Sequence, residues 1–161
     1  MKRMILALVT GLAATGPVCA QSVPFAEPPP AAAGQSGTAV LPSLGDIMID
    51  TQLRHIKLWY SAKANNWNLV KFELARITES LRKAAILYRN IPIEFIAAMN
   101  KPLTDMTEAA TAGNSGNFNS AYSAFTAACN SCHNAAGIPF VRVQTPTSSP
   151  FSDEVYETGK K

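Results

Sequence analysis

Apolar residues recur at helical spacing through the middle of this chain, and the pattern predicts an all-α protein. The first predicted helix runs from about Gly45 to Ala62, and the second runs from Trp67 to about Arg89. The last one begins near Asn117 and ends at Gly137. The stretch 90–113 between them is helical but less regular.

That less regular stretch carries two prolines, each of which can open a helix. Pro92 can begin a segment that runs through Met99. Pro102 can begin another that ends at Gly113, a residue suited to the left-handed stop of a helix. The pattern leaves open whether this is one kinked helix or two short ones. With the other three helices it predicts a four-helix bundle.

The segments that flank the bundle differ from it in composition. Residues 1–20 have the basic start, short apolar run and small-residue cleavage site of a secretory signal peptide. Residues 21–43 are rich in proline and alanine and predict a flexible linker. The bundle then spans 44–137, and 138–161 predict an irregular tail. Four apolar side chains are expected to pack part of that tail: Phe140, Val141, Val143 and Phe151.

Removal of the predicted signal changes the cysteine count and the charge. It removes Cys19, so two of the three cysteines remain. It also removes 2 of 14 basic residues, which leaves 12 against 11 acidic ones and gives no reason to expect nucleic-acid binding. The apolar run is too short for a membrane span, so none is expected in the mature chain. The signal indicates export to the periplasm, an oxidising compartment.

The two remaining cysteines stand in the stretch Cys129-Asn130-Ser131-Cys132-His133. Two thiols three positions apart, followed at once by a histidine, form the attachment pattern of c-type haem. The sulfurs can add to the two vinyl groups of one porphyrin, and His133 then lies under the iron as proximal ligand. Phe118, Tyr122 and Phe125 share the helix face of both cysteines, which suits an apolar porphyrin. The motif therefore predicts one covalent haem c per chain.

Three other interpretations of the motif compete with haem. A zinc site needs four ligands, and outside the motif the chain offers only Cys19 and His55. A thioredoxin-like redox pair is expected beside βαβ patterning, which the chain lacks. A structural disulfide accounts for the two cysteines but gives His133 no role.

A second axial ligand must come from earlier in the chain, because no methionine follows His133. His55 is the first candidate for a distal ligand, since it lies in an apolar helical stripe and is the only other histidine. A partly buried histidine with one hydrogen-bond partner is the alternative interpretation of that position. Met48 is a weaker distal candidate, and a five-coordinate iron beneath Leu58 or Ile56 is a further option.

The helix order, with the haem motif on the last helix, resembles the class II c-type cytochromes, the cytochrome c′ and c556 type of four-helix mono-haem protein. The resemblance covers about Asp46 to Ala136. It implies Cys129 and Cys132 as thioether links and His133 as proximal ligand.

The same resemblance implies an arginine, and an apolar or methionine ligand position, on the first helix. Arg54 and Leu58 match these two positions. His55 and the long tail after the haem motif depart from the pattern of the class.

Together these features predict a periplasmic cytochrome that carries single electrons between redox proteins, and not an enzyme. An open apolar distal side would instead favour binding of a small gas such as nitric oxide or carbon monoxide, and this alternative stays open. Peroxidase-like activity is disfavoured, because it needs polar groups on the distal side to assist O–O cleavage, and Arg54 and His55 are the only such groups expected there. Basic residues on the second helix offer a weak docking patch for an acidic partner. The resemblance also allows a homodimer.

Overall fold

The chain forms four helices in a computed structural model that describes residues 41–158. They are α1 (Leu44–Lys63), α2 (Trp67–Leu87), α3 (Ile93–Ala112) and α4 (Ser115–Ala135). No strand occurs within this part of the chain, so the all-α prediction is confirmed for it. The predicted signal peptide and nearly all of the predicted linker lie outside the described residues.

Capping residues define the short connections between helices. Asn66 begins α2, where its Oδ1 accepts a hydrogen bond from the backbone N–H of Leu69 at 3.2 Å. Gly113 ends α3 in the left-handed conformation, with φ of 65°, as expected from the sequence. Asn114 then begins α4 by accepting from the N–H of Asn117 at 3.0 Å. Because the connections are this short, successive helices run antiparallel.

The prolines at positions 92 and 102 do not divide the third segment, because α3 is a single helix. Pro102 lies inside it and is buried. A proline within a helix removes one backbone hydrogen bond and costs stability. Met99, Leu103 and Met106 continue the buried face on both sides of the proline, and this packing keeps the segment in one helix.

The helices share one hydrophobic core to which α4 contributes the three largest fully buried side chains: Tyr122, Phe118 and Phe125. α1 packs mainly against α2, and α3 mainly against α4, whereas α1 and α4 meet over a much shorter stretch. The arrangement is thus two helical hairpins, joined through α2 and α3 and, over a shorter stretch, through α1 and α4. No helix among the described residues is both long and apolar enough to cross a membrane.

The segment after α4 is irregular, as expected, and it contacts α1 and the α1–α2 turn. Tyr156 is only 8% exposed, and its ring centroid lies 5.7 Å from that of Tyr60. Its backbone carbonyl accepts a hydrogen bond from Asn66 Nδ2 at 3.0 Å. Lys57 forms an ion pair with Glu154 at 2.7 Å. These contacts fix the end of the segment against the bundle.

The apolar residues expected to pack the tail do so only in part. Val143 and Phe151 are partly buried, in line with the prediction. Phe140 is 81% exposed and Val141 is 42% exposed, so the prediction is wrong for these two. Tyr156 supplies the buried anchor instead, and no periodic pattern marks it in the sequence.

Candidate haem attachment site

Both cysteines of the motif lie near the C-terminal end of α4, one helical turn apart and therefore on one face. Cys129 and Cys132 are free thiols, partly buried and packed against the hydrophobic core. The structure therefore brings them together as the motif predicts, without joining them in a disulfide. Two free, neighbouring sulfurs are what attachment to two vinyl groups requires.

The imidazole of His133 is held by the tail. Its Nδ1 lies 2.8 Å from the backbone carbonyl oxygen of Val141. A carbonyl only accepts hydrogen bonds, so Nδ1 carries a proton, and in the neutral ring Nε2 then keeps its lone pair. Histidines that bind metals nearly always donate their other ring N–H to a carbonyl or carboxylate in this way. His133 thus has the tautomer that a proximal ligand needs.

A second contact between α4 and the tail lies one turn before His133. The side-chain amide of Asn130 donates to the carbonyl of Val143 at 2.8 Å and accepts from the N–H of Val143 at 2.8 Å. A turn also holds the segment, because the N–H of Ile138 donates to the carbonyl of His133 at 3.0 Å. The sequence analysis did not predict these contacts. Their only signal in the sequence is the amide side chain of Asn130, at a variable position of the motif.

Burial raises the pKa of the Cys129 thiol to about 12, with a smaller contribution from neighbouring Cys132. Burial also raises the pKa of Cys132. Reactive redox cysteines and zinc-bound cysteines act as thiolates and lie where the pKa is lowered. A thioether carries no charge, so its burial against the core has no such cost. The surroundings of Cys129 therefore suit an uncharged sulfur better than the thiolate of a reactive redox pair.

His55 is 2% exposed and hydrogen-bonded at both ring nitrogens. Thr126 Oγ1 donates to the carbonyl of Tyr122 at 2.9 Å, so it accepts from His55 Nε2, also at 2.9 Å. The hydroxyl of Tyr122 lies 2.9 Å from both His55 Nδ1 and the backbone carbonyl oxygen of His55, so these two acceptors share its one proton. Burial lowers the pKa of His55 to about 4, so the ring is neutral. In this state neither nitrogen has a free lone pair for a metal.

The contacts of His55 also set the register between α1 and α4. His55 faces Thr126, and one turn further along α1 the ring of Trp59 lies 4.9 Å from that of Tyr122. Because the helices are antiparallel, two turns in the other direction bring Met48 to the level of His133. Met48 is partly buried. Of the two sequence candidates for a distal ligand, Met48 is the one level with the motif histidine.

Arg54 and Leu58 face the bundle interior and α2. Arg54 forms ion pairs with Asp50 at 3.0 Å and with Glu73 of α2 at 3.2 Å. Glu73 is 2% exposed, and burial raises its pKa although Arg54 acts in the opposite direction. Leu58 is fully buried in the core. The structure thus gives both residues roles in the packing of α1 on α2.

An exposed apolar face on α1 lies at the level of the motif. Ile49 and Leu53 are 59% and 41% exposed, and partly buried Ile56 continues the same helical face. In the α1–α4 register, Ile49 is level with Cys132. Exposed Phe140 lies in the tail segment between Ile138 and Val141, both tied to the motif region. These side chains leave apolar surface exposed on α1 and on the tail next to His133, although other exposed apolar side chains, such as Phe72 and Val155, lie elsewhere on the protein.

A groove of about 490 Å³ lies elsewhere, between α3 and α4. Its lining includes Asp105, Glu108, Ala109, Ala121 and Ala124 and none of the motif residues. Across residues 41–158, no group of three or more His, Cys, Asp or Glu side chains is arranged to hold a metal ion.

No protein-family model, curated protein or solved structure matches this chain. The resemblance to class II cytochromes therefore stays a prediction.

Proposed function

We propose that this chain is an exported c-type cytochrome that binds one haem at Cys129, Cys132 and His133 and carries single electrons between periplasmic redox proteins. The observation that supports it best is the 2.8 Å contact between His133 Nδ1 and the carbonyl of Val141, beside two free thiols on one face of α4. This contact leaves His133 Nε2 free for a metal.

Each residue of the site has a part in this proposal. The two sulfurs hold the porphyrin covalently, and the core behind them excludes water. His133 provides the proximal nitrogen with its orientation fixed. Haem c, when bound, supplies an iron that accepts and releases one electron. The motif is partly exposed, and Phe140 in the adjoining tail is 81% exposed, so a redox partner could approach a haem held there.

Gas binding is the second candidate function, and the hydrogen bonds of His55 favour it. His55 Nε2 would have to lose its proton and its contact with Thr126 before it could bind a metal. We therefore assign His55 a structural role. The distal side is then either closed by Met48, which favours electron transfer, or left open beneath apolar side chains, which favours nitric oxide or carbon monoxide.

Expression with the native signal, in a host that matures c-type cytochromes, tests the proposal. Intact-mass measurement of the periplasmic product is expected to show one covalent haem. The matched control, Cys129→Ser with Cys132→Ser, is expected to carry none. An unmodified wild-type mass would rule the proposal out. The ferric absorption and EPR spectra then separate the two functions: a low-spin iron supports electron transfer, and a high-spin iron supports gas binding.

A further inference from the structure

We infer that Asn130 is a positioning residue for the proximal histidine: by holding Val143, it keeps the carbonyl of Val141 on His133 Nδ1. The inference rests on the proposed function and extends it to a residue at a variable position of the attachment motif.

The contact between α4 and the tail depends on how the residues are spaced along each of these two segments. Asn130 and His133 are one turn apart on α4, and so they share a face. Their partners, Val143 and Val141, are two residues apart in a segment without helix or strand. The amide of Asn130 bonds both the N–H and the carbonyl of Val143 at 2.8 Å each. One side chain therefore fixes the position of the backbone next to the carbonyl that His133 uses.

The other side of Val141 is held by a local turn, in which its N–H donates to the carbonyl of Ile138 at 3.0 Å. This turn keeps Val141 close to α4 but leaves the orientation of its carbonyl to the residues that follow. Among the described contacts, the two hydrogen bonds from Asn130 are the only ones that hold the residues directly after Val141. Loss of the Asn130 amide is therefore expected to loosen the His133 contact without detaching the tail, because Tyr156 and Glu154 still hold its far end.

A hydrogen bond from Nδ1–H to a carbonyl raises the basicity of the opposite nitrogen. A more basic axial nitrogen stabilises the oxidised iron over the reduced iron, so it lowers the reduction potential. Weakening the contact should therefore raise the potential. A residue that only helped the tail to fold would not change it.

The test compares Asn130→Ala with Asn134→Ala in the haem-bearing full chain. Asn134 is an exposed asparagine on the same helix, next to His133, and serves as the matched control. We expect Asn130→Ala to speed hydrogen exchange of the Val143 amide. We also expect it to shift the reduction equilibrium several-fold toward the reduced state, up to the tenfold that corresponds to about 59 mV for one electron. Asn134→Ala should change neither.

Asn130→Leu provides a second variant that keeps the size of the side chain and adds no charge but loses both hydrogen bonds to Val143, so its shift should match that of Asn130→Ala. Faster exchange at Val143 with an unchanged potential would show that Asn130 only supports the tail, and would overturn the inference. Unchanged exchange would overturn it as well. Both outcomes require wild-type protein that carries haem, so they are distinct from failure of the proposed function, in which the wild type carries none.

Discussion

The hydroxyl of Tyr122 lies 2.9 Å from His55 Nδ1 and 2.9 Å from the backbone carbonyl of the same histidine. One phenol of α4 thus contacts both the side chain and the main chain of α1. Burial raises the pKa of Tyr122, which keeps the hydroxyl protonated and able to donate. This pair, with Thr126, forms the polar centre of the short α1–α4 contact.

Tyr122→Phe is expected to destabilise the protein by about 1–3 kcal/mol, because the ring Nδ1 and the backbone carbonyl of His55 lose the donor that they share. Urea unfolding of the two proteins measures the difference. Tyr60→Phe is the matched control, because the Tyr60 hydroxyl has no hydrogen-bond partner among the described residues and its loss should change stability little. Equal stability of the two variants would contradict the hydrogen bond to His55.

Replacement of His55 by Gln is expected to leave the ferric absorption and EPR spectra of the haem-bearing protein unchanged, because both ring nitrogens are used by α4. If the wild-type iron is low-spin, Met48→Leu should convert it to high-spin, since Met48 is the candidate level with His133. Loss of the low-spin signal in His55→Gln, with Met48→Leu unchanged, would instead identify His55 as the ligand.

Stability should fall as the pH falls from about 6.5 toward about 4, the unfolded and folded pKa values of His55. The folded histidine stays neutral in this window while the unfolded one binds a proton, so protons favour unfolding. The shift corresponds to a loss on the order of 3 kcal/mol, complete near the lower value. Denaturant titrations at several pH values can measure it. The loss attributed to His55 should vanish in His55→Gln, and a loss of equal size in that variant would refute the assignment.

Removal of Arg54 should leave the carboxylate of Glu73 buried without its partner. Arg54→Met is expected to lower the free energy of unfolding by about 2 kcal/mol. This loss is smaller than for a fully buried ion pair, because the Arg54 side chain is itself 26% exposed. Adding Glu73→Gln should recover most of that loss, because the amide needs no counter-charge. Thermal or urea unfolding of the single and double variants tests this. A double variant no more stable than Arg54→Met would show that the buried charge is not the cause.

The C-terminal segment is expected to contribute to stability through Tyr156. Tyr156→Ala should cost roughly 2 kcal/mol, because it removes a buried aromatic ring from its contact with Tyr60. Val155→Ala is the neighbouring control, and since Val155 is 75% exposed its effect should stay within about 0.5 kcal/mol. Similar values for the two variants would mean that the segment is not anchored in this way.

The helices could be predicted well from the sequence because their signals are local. Apolar spacing indicated the helical segments, and Gly113 gave the end of α3 that the structure confirms. The end of α2 differs by two residues, since it stops at Leu87 rather than near Arg89. Pro102 could not be interpreted alone, because its effect depends on how strongly the flanking apolar residues pack against other helices.

The contacts around the candidate site could be predicted much less well from the sequence. The apolar stripe offered a partly buried histidine with one hydrogen-bond partner as an alternative for His55, and the structure buries the ring fully with a partner at each nitrogen. Its two partners, Tyr122 and Thr126, depend on the register between α1 and α4, which no local pattern encodes. The contacts of His133 and Asn130 are with backbone groups of the tail. Any residue type supplies a backbone carbonyl, so such contacts cannot be predicted from composition or from residue spacing.

Because α1 and α4 approach each other over so short a stretch, their pairing depends on few side chains, among them the buried polar group of His55, Tyr122 and Thr126. The α2–α3 contacts and the common core hold the two hairpins together without that group. Loss of the His55 hydrogen bonds is therefore expected to loosen one side of the bundle while the hairpins stay joined along the other.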